Sequence, residues 1–166
     1  PTHAFLGLSP GLDFETKLFA KTNAAQALER ELADPSYKVE TIAIGTNTDP
    51  YQPIEKRYRI MRRILEVLSA ANHPVGIVTK SALVARDIDI LQPMSEIGIA
   101  KVAVSITTLD RSVARAMEPR AATPTRRLDT VRRLSDAGIP VAVCNVVRPL
   151  ADTCTIDVTV PASTAS

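Results

Sequence analysis

The chain has 166 residues, of which 45% are hydrophobic, 23% charged and only 4% aromatic, and its formal net charge is +2. This length and composition predict one soluble domain with an aliphatic core, and so small a net charge gives no argument by itself for a nucleic-acid or membrane surface. No apolar run approaches the roughly 20 residues that cross a bilayer, and two cysteines are too few for a disulfide scaffold, so we expect a reducing, cytoplasmic setting.

The first elements in chain order are a helix and a strand. Asn23, with Gln26 three residues later, is a candidate N-cap for a helix that ends before Pro35. Residues 39–44 are rich in β-branched side chains and predict a strand. A polar loop, residues 45–55, follows this strand directly.

A long helical pattern follows the loop, with apolar residues spaced by three and four positions. This apolar stripe consists of Ile54, Tyr58, Met61, Leu65 and Leu68. The opposite face carries Lys56, Arg57, Arg59, Arg62 and Arg63. These basic residues predict a solvated helix face, with a phosphate-contacting patch as the alternative.

Two further strands are predicted at residues 75–79 and 102–106. Ser81 is a candidate cap for a helix that reaches about Leu91, where Pro93 breaks or kinks it. His73, in the turn before the first of these strands, is expected to be exposed.

Two helices and a last strand complete the pattern. A short helix covers residues 110–117, and a second begins at Pro124 and ends at Gly138. We expect Leu128, Val131 and Leu134 of the second helix to face the core. Residues 141–147 predict the last strand, in which Cys144 is a buried apolar residue.

The alternation of strands and helices predicts an α/β fold with parallel strands, covering residues 1–147. A partial (β/α) barrel and an open doubly wound sheet both fit this order. Neither a Gly-x-Gly-x-x-Gly nor a Walker motif occurs, which argues against a dinucleotide or P-loop site. Residues 148–166 are rich in Thr, Ala and Ser, and we expect this tail to be disordered.

Polar residues gather where the predicted parallel strands end, and such ends meet at one edge of a sheet. The clusters are Thr46, Asn47, Thr48 and Asp49; Lys80 and Ser81; Ser105, Ile106, Thr107 and Thr108; and Glu118, Pro119 and Arg120. Together they suit a small ligand with an amino acid end and a ribose end. Asp49 or nearby loop carbonyls can accept from an α-amino group, Arg120 can hold a carboxylate, and Ser105 can reach a sugar hydroxyl.

A structural role remains the alternative for each of these residues. Asp49 and Pro50 form a common turn, threonines near strand ends often cap helices, and Lys80 can be a surface lysine. Only their joint placement at one edge favours a ligand site. No catalytic residue is assigned, and histidines and cysteines are too few for a zinc site.

Several stretches, in order from residue 1 to about residue 143, resemble one family. They are Pro1–Leu8, Gly45–Pro53, Thr79–Ser81, Val104–Asp110, Glu118–Arg120 and Arg126–Leu128. The sequence resembles radical S-adenosylmethionine proteins, and among them the bacterial subgroup related to spore photoproduct lyase.

The resemblance implies a partial (β/α) barrel that binds S-adenosylmethionine. It also implies a 4Fe–4S cluster on three cysteines, C-x₃-C-x₂-C, which donates an electron from an external donor and yields a 5′-deoxyadenosyl radical. Residues 46–49 would meet the methionyl amino group, Lys80 and Ser105 would contact the carboxylate or ribose, and Arg120 is a further candidate for the carboxylate.

The sequence departs from the family pattern in two places. The three cluster cysteines are absent, and Cys144 and Cys154 cannot replace them. We therefore expect an interior fragment, with the cysteine segment upstream of Pro1, that is inactive alone. Residues 148–166 do not resemble the family and could be a frameshift product. The substrate, which could be a nucleic acid or another macromolecule, is not predicted, and a nucleic-acid-binding or a non-catalytic α/β module remains the alternative function.

Overall fold

A four-stranded parallel sheet organises the part of the chain that this computed structural model describes, Gly7 and residues 17–144. The strands are β1 (Ile42–Ile44), β2 (Val75–Thr79), β3 (Ala100–Ser105) and β4 (Val141–Cys144). The helices are α1 (Ala24–Leu32), α2 (Glu55–Tyr58), α3 (Ile60–Ala70), a 3₁₀ helix (Ala82–Asp87), α4 (Ile88–Glu96), α5 (Arg111–Met117) and α6 (Pro124–Asp136).

The strand order is β1-β2-β3-β4, so consecutive strands are neighbours throughout the described sheet. A doubly wound sheet would reverse its order at a switch point, and none occurs here. The order confirms the predicted incomplete barrel of parallel strands. Because all four strands run the same way, their carboxyl ends lie at one edge, here called the carboxyl edge. Within the described residues, no helix has the length and apolar character needed to span a membrane.

The core is aliphatic, as the composition predicts. Its fully buried members include Leu65, Leu68, Val75, Ile77, Val84, Leu91, Val102, Val104 and Leu134. Side chains of β2 alternate between buried and partly buried positions. The predicted stripe after the loop is confirmed for Met61, Leu65 and Leu68, which are all buried.

The predicted long helix is two helices, because Arg59 adopts a left-handed conformation with φ of 50°. The first helix, α2, ends there, and α3 starts at Ile60. The carboxylate of Glu55 accepts hydrogen bonds from the backbone N–H groups of Ile60 and Met61, at 2.8 and 3.1 Å, and so caps α3. Apolar spacing could not reveal the break, since the stripe continues across it.

Pro93, predicted to break or kink its helix, does not end it. The α-helix begins only at Ile88, after the 3₁₀ helix, and Pro93 lies inside α4. Pro93 is exposed, while Leu91 and Met94 on either side are buried in the core. We infer that this packing outweighs the single hydrogen bond that proline removes.

Other boundaries and exposures also differ from the predictions. Strand β1 begins at Ile42, where its pairing with β2 begins, and Val39 of the predicted strand is exposed. The side chain of His73 is buried, since its ring accepts or donates a hydrogen bond at 2.9 Å with the Tyr37 hydroxyl. Cys144 is only partly buried at the end of β4. Predictions for residues 145–166, the tail included, lie outside the described residues.

Candidate functional site

The loop after β1 lies directly against the end of β2. Gly45 has φ of 100°, and a Cβ atom there would collide with the carbonyl oxygen of Val78. Glycine is therefore required where the chain leaves β1. This close approach brings the polar loop next to the carboxyl end of the neighbouring strand.

Asp49 fastens the loop to β2. Its Oδ1 accepts hydrogen bonds from the Thr79 hydroxyl at 2.7 Å and the Tyr51 backbone N–H at 2.9 Å, and its Oδ2 accepts from the Lys80 backbone N–H at 2.7 Å. Carboxylate hydrogen bonds of this kind are among the stronger ones in proteins. The geometry thus supports a structural role for Asp49, with the exposed residues Thr46, Asn47 and Thr48 forming the tip of the loop.

A buried ionic network lies beneath the loop. The Tyr51 hydroxyl donates to Asp87, whose side chain is fully buried, at 3.1 Å. Arg62 and Arg86 bind the same carboxylate at 3.1 and 2.9 Å, and Arg86 also reaches Glu55 at 2.9 Å. Burial, together with the charge of Asp87, raises the pKa of Tyr51, which stays protonated and donates this bond. Arg62 is therefore engaged in the network, contrary to the predicted solvated or phosphate-contacting face.

A second group of charged side chains joins β2, β3 and α6 at the carboxyl edge. The ammonium of Lys80 lies 2.6 Å from Oε1 of Glu118, and the Thr107 hydroxyl donates to the same oxygen at 3.0 Å. Arg127 donates to Oε2 of Glu118 at 2.6 Å and to the backbone carbonyl of Ser105 at 2.9 Å. We call these five residues the rim cluster.

Glu118 stays ionised within this cluster. Its partial burial alone would raise the pKa of the carboxyl group, but hydrogen bonds from Lys80, Arg127 and Thr107 outweigh burial and hold the pKa below its usual range. The cluster therefore holds two cations and one anion. Only 2% of the Arg127 side chain is exposed, against 44% for Lys80.

Ser105 carries an unused hydrogen-bonding group. Its hydroxyl oxygen is buried and has no hydrogen-bond partner among the described residues, where every other buried side-chain nitrogen or oxygen has one. Buried polar groups without a partner are uncommon and call for an explanation. A bound ligand with a hydroxyl or carboxylate would supply that partner.

The structure brings Asp49, Lys80 and Ser105 to the carboxyl edge, as the sequence analysis expected of parallel strand ends. Arg120 follows Glu118 in the adjoining loop and is exposed. The sequence analysis missed the buried Arg127 because it placed the neighbouring Leu128 in the core, whereas Leu128 is 43% exposed. The sequence did contain a signal for this burial, namely a spacing of three and four residues. The residues with this spacing share the buried face of α6 and are Pro124, Arg127, Thr130 and Leu134.

The residues that the structure describes include no group of three or more His, Cys, Asp or Glu side chains able to hold a metal ion. Cys144 is the one described cysteine. An iron–sulfur cluster needs several thiolate ligands, and the described residues do not supply them.

Comparison with known families identifies the fold's relatives. Residues 20–150 match the family model described as the Radical SAM superfamily. The chain belongs to the radical SAM superfamily. The resemblance expected from the sequence is confirmed over most of the chain.

The curated relatives are uncharacterized proteins. The protein Rv2578c of Mycobacterium tuberculosis (strain ATCC 25618 / H37Rv) is 40% identical over 154 residues, which are 92% of this chain and 45% of the relative. The protein ORF301 of Acidianus two-tailed virus is 34% identical over 114 residues, 69% of this chain and 36% of the relative. The chain therefore spans less than half the length of these relatives.

Solved structures of spore photoproduct lyase share the fold. One, complexed with dinucleoside spore photoproduct, has a TM-score of 0.58 at 15% identity, over 82% of this chain and 40% of the other. A mutant with bound AdoMet and dinucleoside spore photoproduct has a TM-score of 0.54 at 19% identity, over 76% and 36% of the two chains. At such identities the likeness concerns the fold alone.

Proposed function

We propose that the carboxyl edge of this sheet binds S-adenosylmethionine and that the protein belongs to a radical S-adenosylmethionine enzyme. In this family the bound S-adenosylmethionine is the source of a 5′-deoxyadenosyl radical. Membership of the radical SAM superfamily supports the proposal. The observation that carries it is the placement at one edge of the half-exposed side chain of Lys80 and the buried hydroxyl of Ser105, which has no hydrogen-bond partner among the described residues.

The described residues fit the amino acid and ribose ends of such a ligand. Lys80 would bind the carboxylate, and the Ser105 hydroxyl would bind a ribose hydroxyl or that carboxylate. The loop tip, residues 46–48, would meet the α-amino group through its carbonyl and side-chain oxygens. Arg120 remains a second candidate for the carboxylate. Asp49 would hold the loop in place for these contacts.

The residues do not fit an iron–sulfur cluster in the same way. A 4Fe–4S centre needs several thiolates, and the sequence of 166 residues contains two cysteines. We therefore assign no residue of this chain to a cluster. The same proposal includes an external electron donor and a polypeptide longer than these 166 residues. On this proposal, the 166 residues alone are inactive.

Calorimetric titration with S-adenosylhomocysteine, which keeps the amino acid and ribose but lacks the reactive sulfonium, tests the site without any turnover. We expect the chain to bind it, and Lys80→Met to weaken binding about tenfold, because one charge-assisted contact is lost. Lys101→Met is the matched control, since Lys101 is exposed near the other end of β3. Absence of binding, or equal losses in both variants, would refute the proposed site.

A nucleic-acid substrate is the second candidate. Arg111, Arg115 and Arg126 are exposed, form no ion pair with other described residues, and lie on helices that begin near the carboxyl edge. Spore photoproduct lyase, whose fold is similar, binds a dinucleoside. Arg62 and Arg127 are excluded from such a surface by their ion pairs and burial.

Fluorescence anisotropy with a labelled DNA duplex tests this candidate. Affinity should fall steeply with rising salt, and Arg126→Gln should reduce the salt slope by about one. Binding that does not depend on salt would count against a nucleic-acid partner.

A further inference from the structure

Arg127 is the most deeply buried charge at the carboxyl edge, and the ligand contacts proposed above do not use it. Its guanidinium makes three kinds of bond: to the backbone carbonyl of Ala122 at 2.7 Å, to that of Ser105 at 2.9 Å, and to the carboxylate of Glu118 at 2.6 Å. These bonds engage all three guanidinium nitrogens within the chain, so we assign Arg127 no direct contact with a ligand. Its influence on a ligand must pass through its partners.

Glu118 is the partner through which that influence can reach Lys80. The carboxylate lies between the two cations, 2.6 Å from each, and the Thr107 hydroxyl fixes one of its oxygens. If Arg127 were absent, the carboxylate of Glu118 and the ammonium of Lys80 would form an ion pair of zero net charge. With Arg127 present, the three groups carry one net positive charge, and the half-exposed side chain of Lys80 places it on the solvent side.

We propose that Arg127 is a positioning residue that neutralises Glu118 and so leaves the charge of Lys80 available to the carboxylate of a bound nucleoside amino acid. This inference rests on the proposed function. It assigns a role to the Glu118–Arg127 pair that is distinct from ligand contact. The role is electrostatic, so it predicts which ligands are affected and which second substitution restores binding.

Two nucleosides separate the electrostatic role from a structural one. S-adenosylhomocysteine carries the amino acid carboxylate, and 5′-methylthioadenosine lacks the whole amino acid group but keeps the adenosine and the sulfur. We expect Arg127→Gln to weaken S-adenosylhomocysteine binding about tenfold, because Glu118 then cancels Lys80. Binding of 5′-methylthioadenosine should change less than about threefold, since no carboxylate is present.

The double variant Glu118→Gln/Arg127→Gln supplies the rescue. It removes both charges of the buried pair, leaves Lys80 as the cation, and should restore S-adenosylhomocysteine affinity to within about threefold of the unchanged chain. Adding Lys80→Met to the double variant should abolish that recovery. Circular dichroism and urea unfolding establish that each variant folds. If Arg127→Gln alone does not fold, Glu118→Gln decides the matter: removal of the anion should leave S-adenosylhomocysteine affinity equal to or above that of the unchanged chain, and a loss of affinity would overturn the role.

The outcomes distinguish the two proposals. If the unchanged chain does not bind S-adenosylhomocysteine, the proposed function and this inference both fail. If the unchanged chain binds it and Lys80→Met weakens binding, the proposed function stands. Equal losses for both nucleosides in Arg127→Gln, or a double variant as weak as the single one, would then overturn the role of Arg127 alone.

Discussion

Asp49 illustrates how a single carboxylate can fix the position of a loop. It accepts three hydrogen bonds from its own chain, two of them from the end of β2, and so fixes where the loop tip lies. These bonds support a structural role for Asp49, which holds the loop against β2. Its direct contact with an α-amino group stays a prediction. In the proposed site, direct recognition by the loop would fall to its exposed tip, residues 46–48.

Replacing Asp49 with Asn should destabilise the protein by about 2 kcal/mol, because a charged acceptor of three donors becomes a neutral amide with a single acceptor oxygen. Urea unfolding measures the change. Asp136→Asn is the matched control, since Asp136 is exposed near the end of α6, and its effect should stay within about 0.5 kcal/mol. Equal losses in the two variants would show that the hydrogen bonds of Asp49 contribute nothing to stability.

The sequence was informative about residues wherever backbone topology alone decides their position. Asp49, Lys80 and Ser105 could be placed together because parallel strands end at one edge. Arg127 could not, because an arginine next to a leucine on a helix is ordinarily the exposed member of the pair. Its burial depends on Glu118 and two backbone carbonyls, which come from other parts of the chain.

At the level of elements, the break between α2 and α3 is the largest departure from the predicted pattern. Arg59 supplies the left-handed residue, and Glu55 caps the helix that follows. Arginine and glutamate are both residue types that ordinarily continue a helix. Apolar periodicity identified the buried stripe correctly, since Met61 and Leu65 face the core in either arrangement.

Replacing arginine with glycine should have opposite effects on stability at the break and inside α3. Arg59→Gly should raise the free energy of unfolding by about 0.5–1 kcal/mol, because glycine adopts positive φ without steric cost. Arg63→Gly, four residues later inside α3, should lower it by about 1 kcal/mol, because glycine is a poor helix former. Urea unfolding of both variants decides the point, and a loss in both would mean that Arg59 is not strained.

At the level of the whole molecule, the strand order distinguishes two folds that the sequence left open. Alternating strands and helices fit a barrel and a doubly wound sheet equally, because both are built from βαβ units. Strand order is a property of the complete sheet, which local patterns do not encode. The observed order, together with the similarity to spore photoproduct lyase, decides for the incomplete barrel.

The proposed site on a chain with only two cysteines leads to a prediction for the whole chain. Anaerobic treatment with ferrous iron and sulfide should leave no stable four-iron cluster on the 166-residue chain, because its two cysteines cannot supply the thiolates such a cluster requires. Iron and sulfide analysis after desalting measures this, and Cys144→Ser and Cys154→Ser should give the same background. S-adenosylhomocysteine should still bind, because Lys80 and Ser105 are independent of the metal. A stoichiometric, stable four-iron cluster would contradict this division of roles.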